Sequence, residues 1–130
     1  MKISFSNPKV SNSKYYISLL KSFKKTLDRG LYINSSNVNT FEKNFAKYIG
    51  VNYCIGVANA TDAIYLSLKL LNIGKGDEVI TPSHTAAGTV VAILNTGAKP
   101  VFVDIEPNSF NISKKEIIKK ISKKTKVIIP

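Results

Sequence analysis

The chain has 130 residues, of which 44% are hydrophobic, and a mean hydropathy near zero; this fits one ordinary soluble domain with one core and excludes a disordered chain. No apolar run approaches the roughly 20 residues that cross a bilayer, the stretch Met1–Pro8 lacks the apolar core of a signal peptide, and the single Cys54 can form no internal disulfide, so a cytoplasmic location is expected. Nineteen basic residues against eight acidic ones give a net charge of +11, but all the basic ones except Arg29 are lysines; specific recognition of bases or phosphates recruits arginine, so the excess reads as compositional bias with weak, salt-sensitive attraction to polyanions.

Residues 1–13 are polar and read as extended. Lys14 to Asp28 reads as a helix, because Ile17, Leu20, Phe23 and Leu27 recur at helical spacing and Gly30 follows as a stop. The loop Gly30–Asn37 opens on Leu31, Tyr32 and Ile33, apolar residues that pack back on the domain or cover a partner or ligand. Asn39-Thr40-Phe41-Glu42 has the form of a capping box, and the short helix after it is expected to turn Phe41, Phe45 and Tyr48 inward before ending at Gly50. Cys54 to Ala58 is an apolar run that predicts a buried strand, in which Cys54 is a small hydrophobe. A polar turn follows, and then a helix with Ala63, Ile64, Ser67, Leu68 and Leu71 along one face. At this junction Asn59, Thr61 and Asp62 stand where the first helical N–H groups lack partners. Either Asn59 or Thr61 simply caps the helix, or the free N–H groups and a hydroxyl bind an anion such as phosphate.

Asn72–Asp77 is a turn with two glycines, and Glu78–Pro82 is a strand that stops at its proline. The small, polar run Ser83–Thr89 leads into a helix carrying Val90, Val91, Ile93 and Leu94, which Gly97 ends. Pro100–Asp104 is the next strand, Pro107-Asn108 marks a loop, and Ser113 caps a helix with Ile117, Ile118 and Ile121 inward and lysines outward. Lys126–Ile129 is a last short strand. This alternation predicts an α/β fold, a mostly parallel sheet joined by right-handed crossovers with helices packed on it. Ligands in such sheets sit beyond the carboxyl ends of the strands. The polar endings Asn59-Ala60-Thr61, Ser83-His84-Thr85 and Asp104 are therefore expected to line one rim.

These pieces, taken in order, resemble the DegT/DnrJ/StrS family of sugar aminotransferases. The resemblance is carried by Phe41–Tyr48, Gly56–Ala63, Gly74–Ile80, Pro82–Ala86, Gly97–Asp104 and Thr125–Pro130, and it covers nearly the whole chain from the first helix onward. It implies the large domain of the fold-type I pyridoxal-phosphate enzymes, incomplete here, with helices on both faces of the sheet. Residues 1–38 would be an N-terminal arm, helix and loop, and residues 39–130 the first part of the cofactor-binding domain.

The resemblance further implies that pyridoxal 5'-phosphate is the cofactor. Its phosphate would be gripped at Ala60, Thr61 and Asp62, and its pyridine ring bordered by His84, Thr85 and Ala86. Relatives commonly carry Gly at Ala60 and a stacking aromatic at Ala86. Ala86 cannot stack; His84 either turns inward in its place or is a solvated polar residue. Asp104 is implied to be a strand-end residue and not a catalytic acid. No lysine of this chain matches the one that binds the cofactor covalently, so no catalytic residue and no metal ligand is assigned. The chain alone is expected to be inactive, and a break at Pro130 would leave a strand edge and an apolar helix face uncovered. The complete enzyme would move an amino group from an amino acid, with glutamate expected, to a nucleotide-linked keto sugar. It would work as a homodimer, without membrane or specific nucleic acid. The alternative is a lysine-rich nucleic-acid-binding or regulatory domain without catalysis, resting on the charge alone.

Overall fold

The computed structural model describes residues 5–6 and 13–130. Most of the arm expected to be extended, residues 1–4 and 7–12, lies outside the described residues. The chain divides into two compact units, Met1–Gly56 and Val57–Pro130.

In the first unit a 3-10 turn, Ser13–Tyr15, leads into α1, Tyr16–Arg29. Gly30 ends the helix in the left-handed conformation (φ 66°), donating its N–H to the carbonyls of Thr26 and Leu27; only glycine enters that region without steric cost. None of the residues of α1 is buried, so the stripe of Ile17, Leu20, Phe23 and Leu27 is periodic but exposed. Helix α2, Ser36–Ile49, begins before the expected capping box, with Ser35 as its extended N-cap residue. The Ser35 carbonyl accepts from Val38 and Asn39, which draws the box into the helix. Glu42 does not reach back to a cap; its Oε1 accepts the Gly56 N–H at 2.7 Å. The inward placement of Phe41, Phe45 and Tyr48 is also corrected. All three are exposed, Tyr48 at 84%, and they pack on one another with centroids 5.5 and 6.4 Å apart, while only Ala46 of this helix is buried. The expected strand at Cys54–Ala58 does not form, because the segment joins no ladder among the described residues, and Cys54 is partly exposed.

The second unit holds α3 (Ala60–Leu70), β1 (Glu78–Pro82), α4 (Ala87–Asn95), β2 (Lys99–Val103), α5 (Lys114–Lys120) and β3 (Thr125–Ile128). The three strands form one parallel sheet in the order β2-β1-β3, with Val79 opposite Pro100 and Val127, and Ile80 opposite Val101 and Ile128. Central β1 is covered on both faces, so Val79 to Pro82 are buried without alternation. Leu68 of α3, Val79 of β1, Ile93 of α4, Ile73 and Ala98 form the core. Because β2 and β3 flank β1 on opposite sides, right-handed crossovers place α4 and α5 on opposite faces of the sheet. The short helix α5 buries less than expected: Ile117 is half-buried, but Ile118 and Ile121 are exposed. Ser113 does cap it, its Oγ accepting from the Glu116 N–H at 3.5 Å.

Candidate functional site

Helix α3 begins where the chain leaves an extended Asn59 (φ −162°, ψ 173°). Asn59 Oδ1 accepts the Asp62 N–H at 2.9 Å, and its Nδ2 donates to Asp62 Oδ2 at 3.0 Å. The Asp62 carboxylate thus serves the cap and lies in the first turn, where the helix dipole favours a negative charge. Its own N–H is used up. The N–H groups of Ala60 and Thr61 have no acceptor among the described residues. The two readings of this junction therefore coexist: Asn59 caps, and two amides stay free.

Thr61 is half-buried, and its hydroxyl lies against Gly88 in the first turn of α4. A Cβ on Gly88 would stand 2.5 Å from Thr61 Oγ1, so the side chain fills space that only glycine leaves open. The starts of α3 and α4 abut here. Gly88 escaped the sequence reading, in which it was one more member of a small, polar run; no local pattern told it apart from its neighbours.

At the end of β1 the Ser83 N–H donates to the Val103 carbonyl at 3.0 Å, carrying the ladder one residue further. The Thr85 hydroxyl donates to Thr89 Oγ1 at 3.1 Å, and Thr89 is buried. Ala86 is the exposed residue ahead of α4, and its carbonyl accepts the Thr89 N–H. His84 is exposed and lies edge-to-face with Phe110, centroids 6.4 Å apart and planes at 81°.

Phe110 belongs to the loop after β2. Asp104 organises the start of this loop, its Oδ1 accepting the Ile105 N–H and its carbonyl the Ser113 N–H. The loop closes through an antiparallel bridge between Ile105 and Ile112 and a hydrogen bond from Glu106 N–H to the Asn111 carbonyl. Phe110 itself sits at φ 58°. That conformation costs a bulky residue about 1–2 kcal/mol, while an edge-to-face aromatic pair returns about 0.5–1.5 kcal/mol.

The chain leaves β1 toward one face of the sheet and β2 toward the other, the arrangement in which open α/β sheets place ligands beyond the carboxyl ends of their strands. The first of the three expected rim segments is a helix start and not a strand end; the other two are true strand ends. Two unpaired amides, an adjacent hydroxyl and the positive end of a helix are a donor set that fits a phosphate group. No group of three or more His, Cys, Asp or Glu side chains among the described residues could hold a metal ion. Away from the rim, a groove of about 270 Å³ runs between α3 and β3, lined by Ala63, Ile64, Leu68, Leu71, Val127 and Ile129. Its lining leaves this apolar face of α3 and the edge strand β3 uncovered among the described residues.

Residues 17–130 match the profile of the DegT/DnrJ/EryC1/StrS aminotransferase family. The chain is 42% identical to the dTDP-3-amino-3,6-dideoxy-alpha-D-galactopyranose transaminase of Aneurinibacillus thermoaerophilus over 91% of its own length and 32% of that protein's. Among solved structures it resembles a DegT DnrJ EryC1 StrS aminotransferase from Brucella abortus, with 33% identity, a TM-score of 0.91, and coverage of 99% of this chain and 36% of that one. It also resembles NtdA from Bacillus subtilis with bound cofactor PMP, with 30% identity, a TM-score of 0.84, and coverage of 98% and 29%. The chain spans about a third of the length of the curated relatives it matches. On these grounds the chain belongs to the DegT/DnrJ/EryC1/StrS aminotransferase family.

Proposed function

We propose that the protein carrying this chain is a nucleotide-sugar aminotransferase that works with pyridoxal 5'-phosphate, and that these residues hold the phosphate end of the cofactor. The observation that carries this reading is the start of α3, where Asn59 takes the Asp62 amide and leaves those of Ala60 and Thr61 free beside the Thr61 hydroxyl. Residues 1–38 are the arm, helix and loop, and residues 39–130 the first part of the cofactor-binding domain. The Ala60 and Thr61 amides and the Thr61 hydroxyl bind phosphate oxygens; Asp62 keeps the cap closed and so keeps those amides aimed outward. His84, Thr85 and Ala86 border the ring, with Thr85 held by Thr89.

When bound, the cofactor supplies the electron sink that lets an amino group leave one carbon and join another. The residues described here bind, orient and shield it. The lysine that would bond to it covalently has no counterpart among the residues assigned here. Glutamate is the amino donor, a nucleotide-linked keto sugar is the acceptor, and the protein is a cytoplasmic homodimer. Among the described residues no helix is long and apolar enough to cross a membrane.

The test is an assay of the full-length protein with pyridoxal phosphate, glutamate and a panel of nucleotide-linked keto sugars. Glutamate-dependent formation of an amino sugar is expected, and absence of turnover with every keto sugar, despite bound cofactor, would overturn the reading. Borohydride reduction and peptide mapping of chain 1–130 alone, with pyridoxal phosphate, is expected to label no single lysine stoichiometrically.

A further inference from the structure

We propose that Glu42 is a positioning residue for the phosphate-binding turn, its carboxylate holding the Gly56 amide and so fixing the stretch of chain that delivers Asn59 and the free amides of Ala60 and Thr61. The proposal rests on the reading of the start of α3 as the phosphate site. The first support is where Glu42 stands. Val38, Glu42 and Ala46 follow one another at intervals of four on one face of α2, and they are the residues of this helix that are not exposed. Apolar side chains are the rule on such a face. A half-buried carboxylate there needs a donor.

The second support is how that charge is used. The chain carries nineteen basic residues, yet among the described residues Glu42 enters no salt bridge. Its Oε1 accepts the Gly56 N–H at 2.7 Å, the length of a charge-assisted bond. A Cβ on Gly56 would stand 3.4 Å from Glu42 Oε1 and 3.7 Å from Val38 Cγ1, so glycine leaves the carboxylate an open approach to the amide.

The third is how little else holds this stretch. Gly50 and Val51 donate to the Ala46 carbonyl, and Asn59 closes the cap of α3. Between these two anchors residues 52–58 form no helix or strand, and among the described residues the bond from Gly56 N–H to Glu42 is the one hydrogen bond they make. Glu42 and Gly56 both belong to the first unit, and the effect runs onward along the covalent chain. The three residues from Gly56 to Asn59 reach about 10 Å at most, so a fixed Gly56 limits how far the cap and the amides after it can swing. With that bond removed the amides lose their aim before a phosphate arrives, and binding has to supply the ordering.

The experiment compares binding of pyridoxal phosphate and of pyridoxal, which lacks the phosphate, to the full-length protein. The phosphorus NMR resonance of the bound cofactor is a second readout. Glu42→Ala is expected to weaken pyridoxal phosphate about tenfold, the worth of one charge-assisted bond, to move that resonance, and to leave pyridoxal unchanged. Glu42→Gln keeps an acceptor oxygen at the same reach and is expected to stay within about threefold of the parent. Glu42→Asp, one methylene shorter, is expected to behave like Glu42→Ala, and it carries the same comparison should Glu42→Ala fail to fold. Equal weakening of both ligands, or a lower melting temperature with unchanged binding, would assign Glu42 a merely structural role and overturn the proposal. Unchanged binding in the Glu42 variants, with Thr61→Val weakened, would overturn it too and leave the phosphate reading standing. Unchanged binding in Thr61→Val as well would remove the reading on which the proposal rests.

Discussion

Asn59 and Thr61 divide the work at the start of α3, and the division can be tested one side chain at a time. Asn59 makes both side-chain bonds of the cap, so Asn59→Ala is expected to cost about 1 kcal/mol, read from the denaturant midpoint. Thr61 makes no such bond, so Thr61→Val should leave stability within about 0.5 kcal/mol and weaken pyridoxal-phosphate binding about tenfold, the worth of one hydrogen bond to a charged group. A stability loss in Thr61→Val equal to that of Asn59→Ala would assign Thr61 to the cap instead. The sequence already placed this junction and its polar residues, because strand-like and helical periodicities meet there. It could not decide between cap and anion site, since that depends on which amide each side chain reaches. Phe110 was invisible for the same kind of reason: its φ and its contact with His84 arise from a loop closed by residues at both ends.

At the scale of elements, two positions show where packing overrides local preference. A helix normally gains about 0.5–1 kcal/mol when an interior glycine becomes alanine. At Gly88 the new methyl would meet Thr61 Oγ1 at 2.5 Å, a short, β-branched side chain with little room to yield. Gly88→Ala is therefore expected to destabilise by about 1 kcal/mol, and in a Thr61→Ala background to stabilise by its helix propensity. The same sign in both backgrounds would show that the seam between α3 and α4 opens freely. Thr81 on the central strand is the second position. Its hydroxyl is fully buried and finds no partner among the described residues, and period-two alternation puts it on the face of Val79, toward the core. Thr81→Val keeps the shape and removes the unpaired group, so a gain of about 1 kcal/mol in thermal or denaturant melts is expected. A loss would mean that a group elsewhere in the protein satisfies it. The helices and strands of the second unit were legible because Val79, Ile80, Ile93 and Leu68 carry strong periodic signals. The strand at Cys54–Ala58 was misread because an apolar run marks a segment fit for burial, and only a neighbouring ladder makes it a strand.

At the scale of the whole molecule the decisive feature is apolar surface left uncovered among the described residues. Helix α1 buries none of its residues, Phe41, Phe45 and Tyr48 of α2 stack on one another in the open, and Leu71 and Ile129 border the groove beside β3. Scattered exposed apolar residues are ordinary, but contiguous stripes and grooves of this kind mark surfaces made to be covered. The relatives supply a measure of what could cover them, since this chain spans about a third of their length. Chain 1–130 on its own is accordingly expected to aggregate or to bind hydrophobic dyes, whereas the proposed homodimer predicts that the full-length protein will elute as a dimer by size-exclusion chromatography with light scattering. Leu71→Glu separates the two situations by sign. In the isolated chain the charge faces water and should raise the soluble fraction. In the full-length protein the same charge enters a covered groove, and a loss of about 2–4 kcal/mol is expected from lost burial and desolvation together. Equal, small effects in both settings would show that the groove stays open to solvent in the intact protein, and a clean, stable monomer of chain 1–130 would show that its apolar faces need no partner.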